Sequence, residues 1–274
     1  MNLEFTSDSR ILFVTDNSQS LRQIDIKLAI LEKEYGVVTR GSITCIACTP
    51  INKFLFLGDT HGKLTQYNPR DQNLEHDFGE IHQGRILKIV PLNNGKQFFT
   101  TDDESHLKQW NTRNKECVKN YGKIHAQWIK TMTISPNDKW LFTTAMYHQQ
   151  QNSGSNMKQI SIEDCQMMKD YGEIMTGKIY SAAICHDSRS LFLSDSKGHI
   201  KQLVIGEEVI DYGKVHQAGI FSIATTPDSR FLYTSDMAGN LKQTNVETRK
   251  GTILFCFDNE KLSTRTQSCT RAEF

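Results

Sequence analysis

The sequence predicts an all-β protein built from six copies of one four-stranded unit. Three sets of residues recur in the same order along its 274 residues. The first set ends six similar stretches, in steps of 43, 43, 43, 50 and 41 residues: Asp16, Asp59, Asp102, Ala145, Asp195 and Asp236. The second set consists of glutamines: Gln23, Gln66, Gln109, Gln159, Gln202 and Gln243. The third set is aromatic: Tyr35, Phe78, Tyr121, Tyr171 and Tyr212. A fixed period of this length indicates a structural unit that stacks on its neighbours.

Each copy is predicted to contain four short strands. The first is an apolar run, as in residues 42–49, and the second, as in residues 54–58, has apolar side chains on both faces. A hairpin with a glycine follows, as in residues 59–62, because glycine adopts the positive φ of a tight reversal. The third strand carries the glutamine, and the fourth precedes the aromatic set. Short strands at this spacing, without helical periodicity between them, are typical of all-β repeats.

A single sheet with two apolar faces is covered only when other sheets pack on both sides, as the blades of a β-propeller do. We therefore predict a β-propeller of about six blades in residues 1–257, followed by a non-repeat tail, residues 258–274. A seven-bladed or incompletely closed ring is the alternative. The tail either completes the short first copy and closes the ring, or the chain is a fragment of a longer array.

Composition argues against several classes of function. Lys and Arg number 32 against 31 Asp and Glu, so the chain lacks the basic field of a nucleic-acid or anionic-membrane binder. No apolar run approaches the roughly 20 residues of a membrane span, and no signal peptide is visible. Seven irregularly spaced cysteines predict a reduced, intracellular protein, cytoplasmic or nuclear. Cys45 and Cys48 have metal-ligand spacing, but residues three apart on a strand face opposite ways, which favours a thiol pair over zinc.

One copy resembles a known family. Residues 106–111, HLKQWN, followed by residues 120–125, NYGKIH, resemble the strand ending of a WD40 repeat and the linker to the next repeat. Trp110 stands where the family has its tryptophan, and His125 ends the stretch where the family has Gly-His. The resemblance covers residues 1 to about 250, with residues 84–125 the clearest copy. Other residues replace the tryptophan in the remaining copies, so the register of the three sets carries the resemblance.

The resemblance implies a structural hydrogen-bond network of a linker histidine, a hairpin aspartate, a hydroxyl of the second strand and the tryptophan. It assigns to the third copy His82, Asp102, Thr100 or Thr101, and Trp110. It assigns to the sixth copy His216, Asp236, and Thr234 or Ser235. The second and fifth copies have Thr39 and Met175 instead of the histidine, and the fourth keeps His125 but has Ala145.

A catalytic or metal-binding His/Asp site is the alternative interpretation of these residues. An active site requires one special convergence of groups, whereas this arrangement recurs in several copies, so the structural role is favoured. We find no motif of a nucleophilic hydrolase, a zinc protease, or a phosphate- or dinucleotide-binding loop. We therefore predict no catalytic, metal or cofactor-binding residue and no cofactor. The repeated tyrosines are expected to pack between blades.

The predicted function is a non-enzymatic scaffold that binds proteins or peptides, monomeric within a larger complex and without nucleic-acid or membrane partners. The hairpin of the fourth copy, residues 145–156, is about seven residues longer than the others. Its Tyr147 and His148 are candidate partner contacts, with a tolerated surface insertion as the alternative. A propeller hydrolase or lyase with a central-channel site is the alternative function. A third alternative is that the chain is one module of a larger multidomain protein.

Overall fold

The computed structural model describes residues 2–16, 19–70, 73–146 and 154–255, which form β-strands and no helix. The first twelve strands are β1 (Asn2–Phe5), β2 (Ile11–Thr15), β3 (Ser20–Asp25), β4 (Ile30–Val37), β5 (Ile43–Cys48), β6 (Leu55–Asp59), β7 (Lys63–Asn68), β8 (Asn73–Glu80), β9 (Ile86–Pro91), β10 (Gln97–Asp102), β11 (His106–Asn111) and β12 (Cys117–Lys123). The next twelve are β13 (Ile129–Ile134), β14 (Trp140–Met146), β15 (Ser155–Ser161), β16 (Gln166–Met175), β17 (Ile179–Ile184), β18 (Ser190–Asp195), β19 (His199–Val204), β20 (Val209–Lys214), β21 (Ile220–Thr225), β22 (Phe231–Asp236), β23 (Leu241–Asn245) and β24 (Gly251–Phe255).

These strands form six four-stranded sheets, each made of four strands in chain order, β1–β4 through β21–β24. We number them sheets 1 to 6. The prediction of six four-stranded units is thereby confirmed. The chain divides at Ile129 and Lys130 into two compact units, with sheets 1 to 3 in the first and sheets 4 to 6 in the second. The single domain predicted for residues 1–257 stays a prediction, and residues 258–274 lie outside the described residues.

In sheets 2, 3, 5 and 6 the second strand is the most buried, because it carries apolar side chains on both faces. All residues of β6 and β18 are buried, whereas β4 and β12 at the sheet edges are largely exposed. Between sheets 2 and 3 the rings of Phe56 and Phe98, both fully buried, lie 4.3 Å apart. Replacing either ring by alanine would cost about 3–5 kcal/mol, as for other core phenylalanines.

In the second unit, Met175 lies at a position where other copies have the linker histidine. It is 1% exposed and belongs to an apolar cluster with Met157, Ile179 and Leu193. The fifth copy therefore has an apolar contact at this position instead of a hydrogen-bonded histidine.

The described residues contain no helix long and apolar enough to cross a membrane.

Candidate functional site

A buried aspartate ends the second strand in four of the six sheets. In Asp59, Asp102, Asp195 and Asp236, Oδ1 accepts backbone N–H groups two and four residues later, at 2.8–3.0 Å. One oxygen of each carboxylate thus closes the hairpin, and the other oxygen, Oδ2, is left for another donor. We call the end of a sheet that carries this hairpin and the linker to the next sheet its linker end.

In sheet 3 the structure brings His82, Asp102, Thr100 and Trp110 together, and all four are buried. His82 Nδ1 lies 3.1 Å from Asp102 Oδ2, and His82 Nε2 lies 2.8 Å from Thr100 Oγ1. Trp110 Nε1 donates to the same hydroxyl at 2.9 Å. The carboxylate can only accept, so we assign the proton to Nδ1, with Thr100 donating to Nε2. This assignment gives each of these polar atoms a partner.

Sheet 6 repeats two of these contacts. His216 Nδ1 lies 3.0 Å from Asp236 Oδ2, and His216 Nε2 lies 2.7 Å from Thr234 Oγ1. Thr244 stands in place of the tryptophan, and its buried hydroxyl has no hydrogen-bond partner within the described part of the chain. Burial lowers the pKa of His216 despite the nearby Asp236, which favours the neutral imidazole.

The carboxylate of Asp102 stays ionised although it is buried. Burial opposes its ionisation, but hydrogen bonds from His82 and from the backbone and side chain of His106 outweigh burial and hold the pKa below its ordinary value. The His106 imidazole, four residues after the aspartate, lies 2.9 Å from Oδ2. In sheet 6, Asn240 fills this position and donates to Asp236 Oδ2 at 2.8 Å.

Sheets 2 and 5 lack the linker histidine and differ in how they compensate. In sheet 5, His199 Nδ1 lies 3.3 Å from Asp195 Oδ2. In sheet 2, Thr39 donates instead to the carbonyl of Gly41. Asp59 is fully buried, and its Oδ2 has no hydrogen-bond partner among the residues that the structure describes.

A pocket of about 740 Å³ opens at the linker end of sheet 2. We call it the Asp59 pocket, and its lining consists of Arg40, Asp59, His61, Lys63, Gly79 and Glu80. The hairpin after β6 forms part of its wall and touches the following linker, where the amide of His82 donates to the carbonyl of Gly62 at 3.2 Å. Sequence reasoning missed this pocket. The available signal was an aspartate retained without its histidine.

An exposed tryptophan lies at the linker end of sheet 3. Trp128 is 52% exposed, and the guanidinium of Arg85 lies 5.8 Å from its ring centroid. Asp103 accepts from Arg85 Nε at 2.9 Å and so fixes the guanidinium. We call Arg85, Asp103 and Trp128 the Trp128 patch. The sequence offered a weak signal for it, an aromatic ring in the linker between β12 and β13.

The aromatic set serves a polar role that was not predicted. The hydroxyls of Tyr35, Tyr121, Tyr171 and Tyr212 donate to the glutamine of the same sheet at 2.7–2.8 Å. Sheet 2 has Phe78 instead of tyrosine. Its Gln66 is fully buried, and both polar atoms of the side-chain amide lack a partner in the described part of the chain. Sheet 2 therefore lacks two hydrogen bonds that other sheets make.

The predicted contact residues Tyr147 and His148 lie outside the described residues. Cys45 and Cys48 are free, buried thiols, and burial raises the pKa of each to about 12, so neither is a ready nucleophile. No group of three or more His, Cys, Asp or Glu side chains in residues 2–16, 19–70, 73–146 and 154–255 is placed to hold a metal ion.

The six four-stranded sheets define a protein of the β-propeller fold class. A solved structure supports this, the hydrazine synthase of Kuenenia stuttgartiensis, to which the chain is similar with a TM-score of 0.70. The match has 14% identity and covers 92% of this chain and 75% of that chain, and at such identity the likeness concerns the fold alone. No protein-family model and no curated protein matches the sequence.

Proposed function

We propose that the chain is a WD40-type propeller that binds proteins or peptides at the linker ends of its first unit and has no catalytic activity of its own. The exposed Trp128, held against Arg85, carries this proposal. Tryptophan and arginine are enriched among the residues that dominate binding energy in protein interfaces. Covering an exposed indole with a partner surface is favourable because it removes the apolar ring from water.

The His–Asp–Thr groups fit a structural role better than a catalytic one. Thr100 is fully buried, and its hydroxyl already contacts both His82 and Trp110. A nucleophile in that position would have no face open to a substrate. The same three-residue arrangement occurs again at His216, which supports a structural role in both sheets.

A partner-binding scaffold needs neither a cofactor nor a membrane, and we propose a monomer within a larger cytoplasmic complex. Free cysteines agree with a reducing compartment, and five are described: Cys45, Cys48, Cys117, Cys165 and Cys185. The nearly neutral net charge of +1 favours protein partners over nucleic acid.

Affinity purification with Trp128→Ala tests the proposal. The matched control is Phe5→Ala, because Phe5 is 55% exposed and ends β1 at the opposite end of its sheet. We expect proteins retained by the wild type and by the control to be lost with Trp128→Ala. Equal retention by all three would refute this binding surface, and catalytic turnover by the isolated chain would refute the scaffold. Deleting residues 149–154 in the same experiment tests the longer hairpin.

A further inference from the structure

Asp59 differs from the other buried hairpin aspartates in its second carboxylate oxygen. Oδ2 of Asp102, Asp195 and Asp236 has at least one side-chain donor within 3.3 Å. Oδ2 of Asp59 has none among the described residues, although the side chain is 0% exposed. A buried carboxylate oxygen without a donor costs free energy, so its retention calls for an explanation.

Lys63 could have supplied the missing donor but is held elsewhere. It occupies the position, four residues after the aspartate, from which His106 and His199 reach Oδ2. Its Nζ instead pairs with Asp77 at 2.7 Å. Asp59, which lines the pocket, therefore keeps one acceptor oxygen that no described neighbour satisfies.

We propose that the Asp59 pocket binds the ammonium group of a lysine side chain from a partner protein. This inference rests on the proposed function. Asp59 Oδ1 already accepts two backbone N–H groups, from His61 and Lys63, so only Oδ2 is available. A guanidinium pairs best with two free carboxylate oxygens, whereas an ammonium acts as a compact point charge and needs one.

An imidazole fits the pocket less well than an ammonium. In sheets 3 and 6 the second imidazole nitrogen contacts Thr100 or Thr234. The corresponding position in sheet 2, two residues before the aspartate, is Leu57, which has no polar side-chain atom and is fully buried. The second nitrogen of an imidazole would have no hydroxyl partner there.

The remaining lining suits a lysine within a peptide. Glu80 lines the pocket and offers a second carboxylate to the ammonium. Arg40, also in the lining, is exposed and has no ion-pair partner in the described part of the chain. It is placed to contact a carboxylate or a backbone carbonyl beside the bound lysine.

Thermal unfolding of the full chain with n-butylammonium chloride, a mimic of the lysine side chain, tests the inference. Potassium chloride at equal ionic strength is the control for screening. We expect a saturable rise in Tm of about 3 °C at roughly ten times the dissociation constant. Methylguanidinium chloride should give a smaller rise.

Thr39→His is the decisive variant because it should place an imidazole on Asp59 as His82 does on Asp102. It should lose the response to butylammonium because its imidazole would occupy Asp59 Oδ2. Asp59→Asn, which removes the charge, should also lose the response and serves if Thr39→His does not fold. No saturable rise in the wild type, or an undiminished rise in both variants, would overturn the inference.

The outcomes of this test and of the purification are separable. Butylammonium needs no partner protein, and Trp128→Ala leaves the pocket lining intact. Loss of partners with Trp128→Ala but no amine response would overturn the lysine site and leave the proposed function standing. An amine response without any specific partner would overturn the proposed function instead.

Discussion

Phe78→Tyr should stabilise the chain because it restores a hydrogen bond that sheet 2 lacks. Tyr35 occupies the same position in sheet 1 and donates to Gln23 Oε1 at 2.8 Å. The two rings have similar neighbours, since Tyr35 lies edge-on to Tyr67 at 5.6 Å and Phe78 lies edge-on to Trp110 at 6.0 Å. A hydroxyl added to Phe78 should therefore reach the buried amide of Gln66.

The expected gain follows from what the new hydroxyl satisfies. A neutral hydrogen bond contributes about 1 kcal/mol net, and a buried group without a partner costs about 1–3 kcal/mol. Part of this is offset by burying the new hydroxyl, so we expect Phe78→Tyr to raise the free energy of unfolding by about 1–2 kcal/mol. In a chain of this size that corresponds to a rise in Tm of roughly 2–4 °C.

Differential scanning calorimetry of a matched set tests this reasoning. Tyr35→Phe, the reverse change in sheet 1, should lower Tm by a similar amount. Gln66→Leu should be neutral or stabilising because it removes an amide without partners, whereas Gln23→Leu should destabilise. A Tm for Phe78→Tyr at or below that of the wild type, together with a loss in Tyr35→Phe, would refute the assignment of Gln66 as unsatisfied.

Three further predictions concern the joints between sheets. Gly62→Ala should cost about 3 kcal/mol or more in unfolding free energy, because φ is +75° and a Cβ would lie 2.0 Å from the carbonyl oxygen of His82. The control Gly79→Ala should cost about 1 kcal/mol, because Gly79 has φ +71° but open space around the added Cβ. Equal losses in Tm for the two variants would contradict this reasoning. Thr100→Val should lower the unfolding free energy by about 2–3 kcal/mol, because it leaves the buried His82 Nε2 and Trp110 Nε1 without a partner. A loss below about 0.5 kcal/mol in thermal melts would contradict this. The folded pKa of His216 lies below its ordinary value, so the unfolded chain binds more protons on acidification, and stability should fall as pH drops from about 7.5 to 5.5. That fall should be smaller in His216→Gln, and an identical pH profile would exclude His216 as its source.

The fold could be predicted because apolar and turn residues recur at a fixed period along the sequence. Residues such as Phe56 and Phe98 pack between sheets, so each copy repeats the same burial constraint. The hairpin glycine recurs in sheets 2, 5 and 6 as Gly62, Gly198 and Gly239, each at a positive φ, which glycine adopts most readily.

The site was less predictable because it depends on single contacts. The resemblance named His82, Asp102 and Trp110, which the structure brings together. It did not show that the residue four positions after the aspartate also donates, as His106 does. Nor could sequence show that Lys63, in that position in sheet 2, pairs with another carboxylate. Which carboxylate such a side chain contacts depends on its direction, and a pattern of residue types does not contain that information.

Exposed features were predicted least well. Trp128 lies on a linker where no periodic burial constrains the residue type, so its exposure and its contact with Arg85 are visible only in three dimensions. The Asp59 pocket lies where the linker histidine is missing. In the sequence, Thr39 at that position is equally compatible with neutral drift and with a function.

Several donors surround the hairpin aspartates of sheets 3, 5 and 6, and this has a consequence for how the sequence can change over time. Two backbone amides close each of these hairpins, and a linker histidine or a nearby His199 or Asn240 supplies the rest. Because one donor can substitute for another, no side chain other than the aspartate is indispensable in all of these copies. Repeats in which one hydrogen-bond donor can replace another can diverge in sequence independently while the shape of each sheet persists. A copy that no longer needs one of these contacts can acquire a different function.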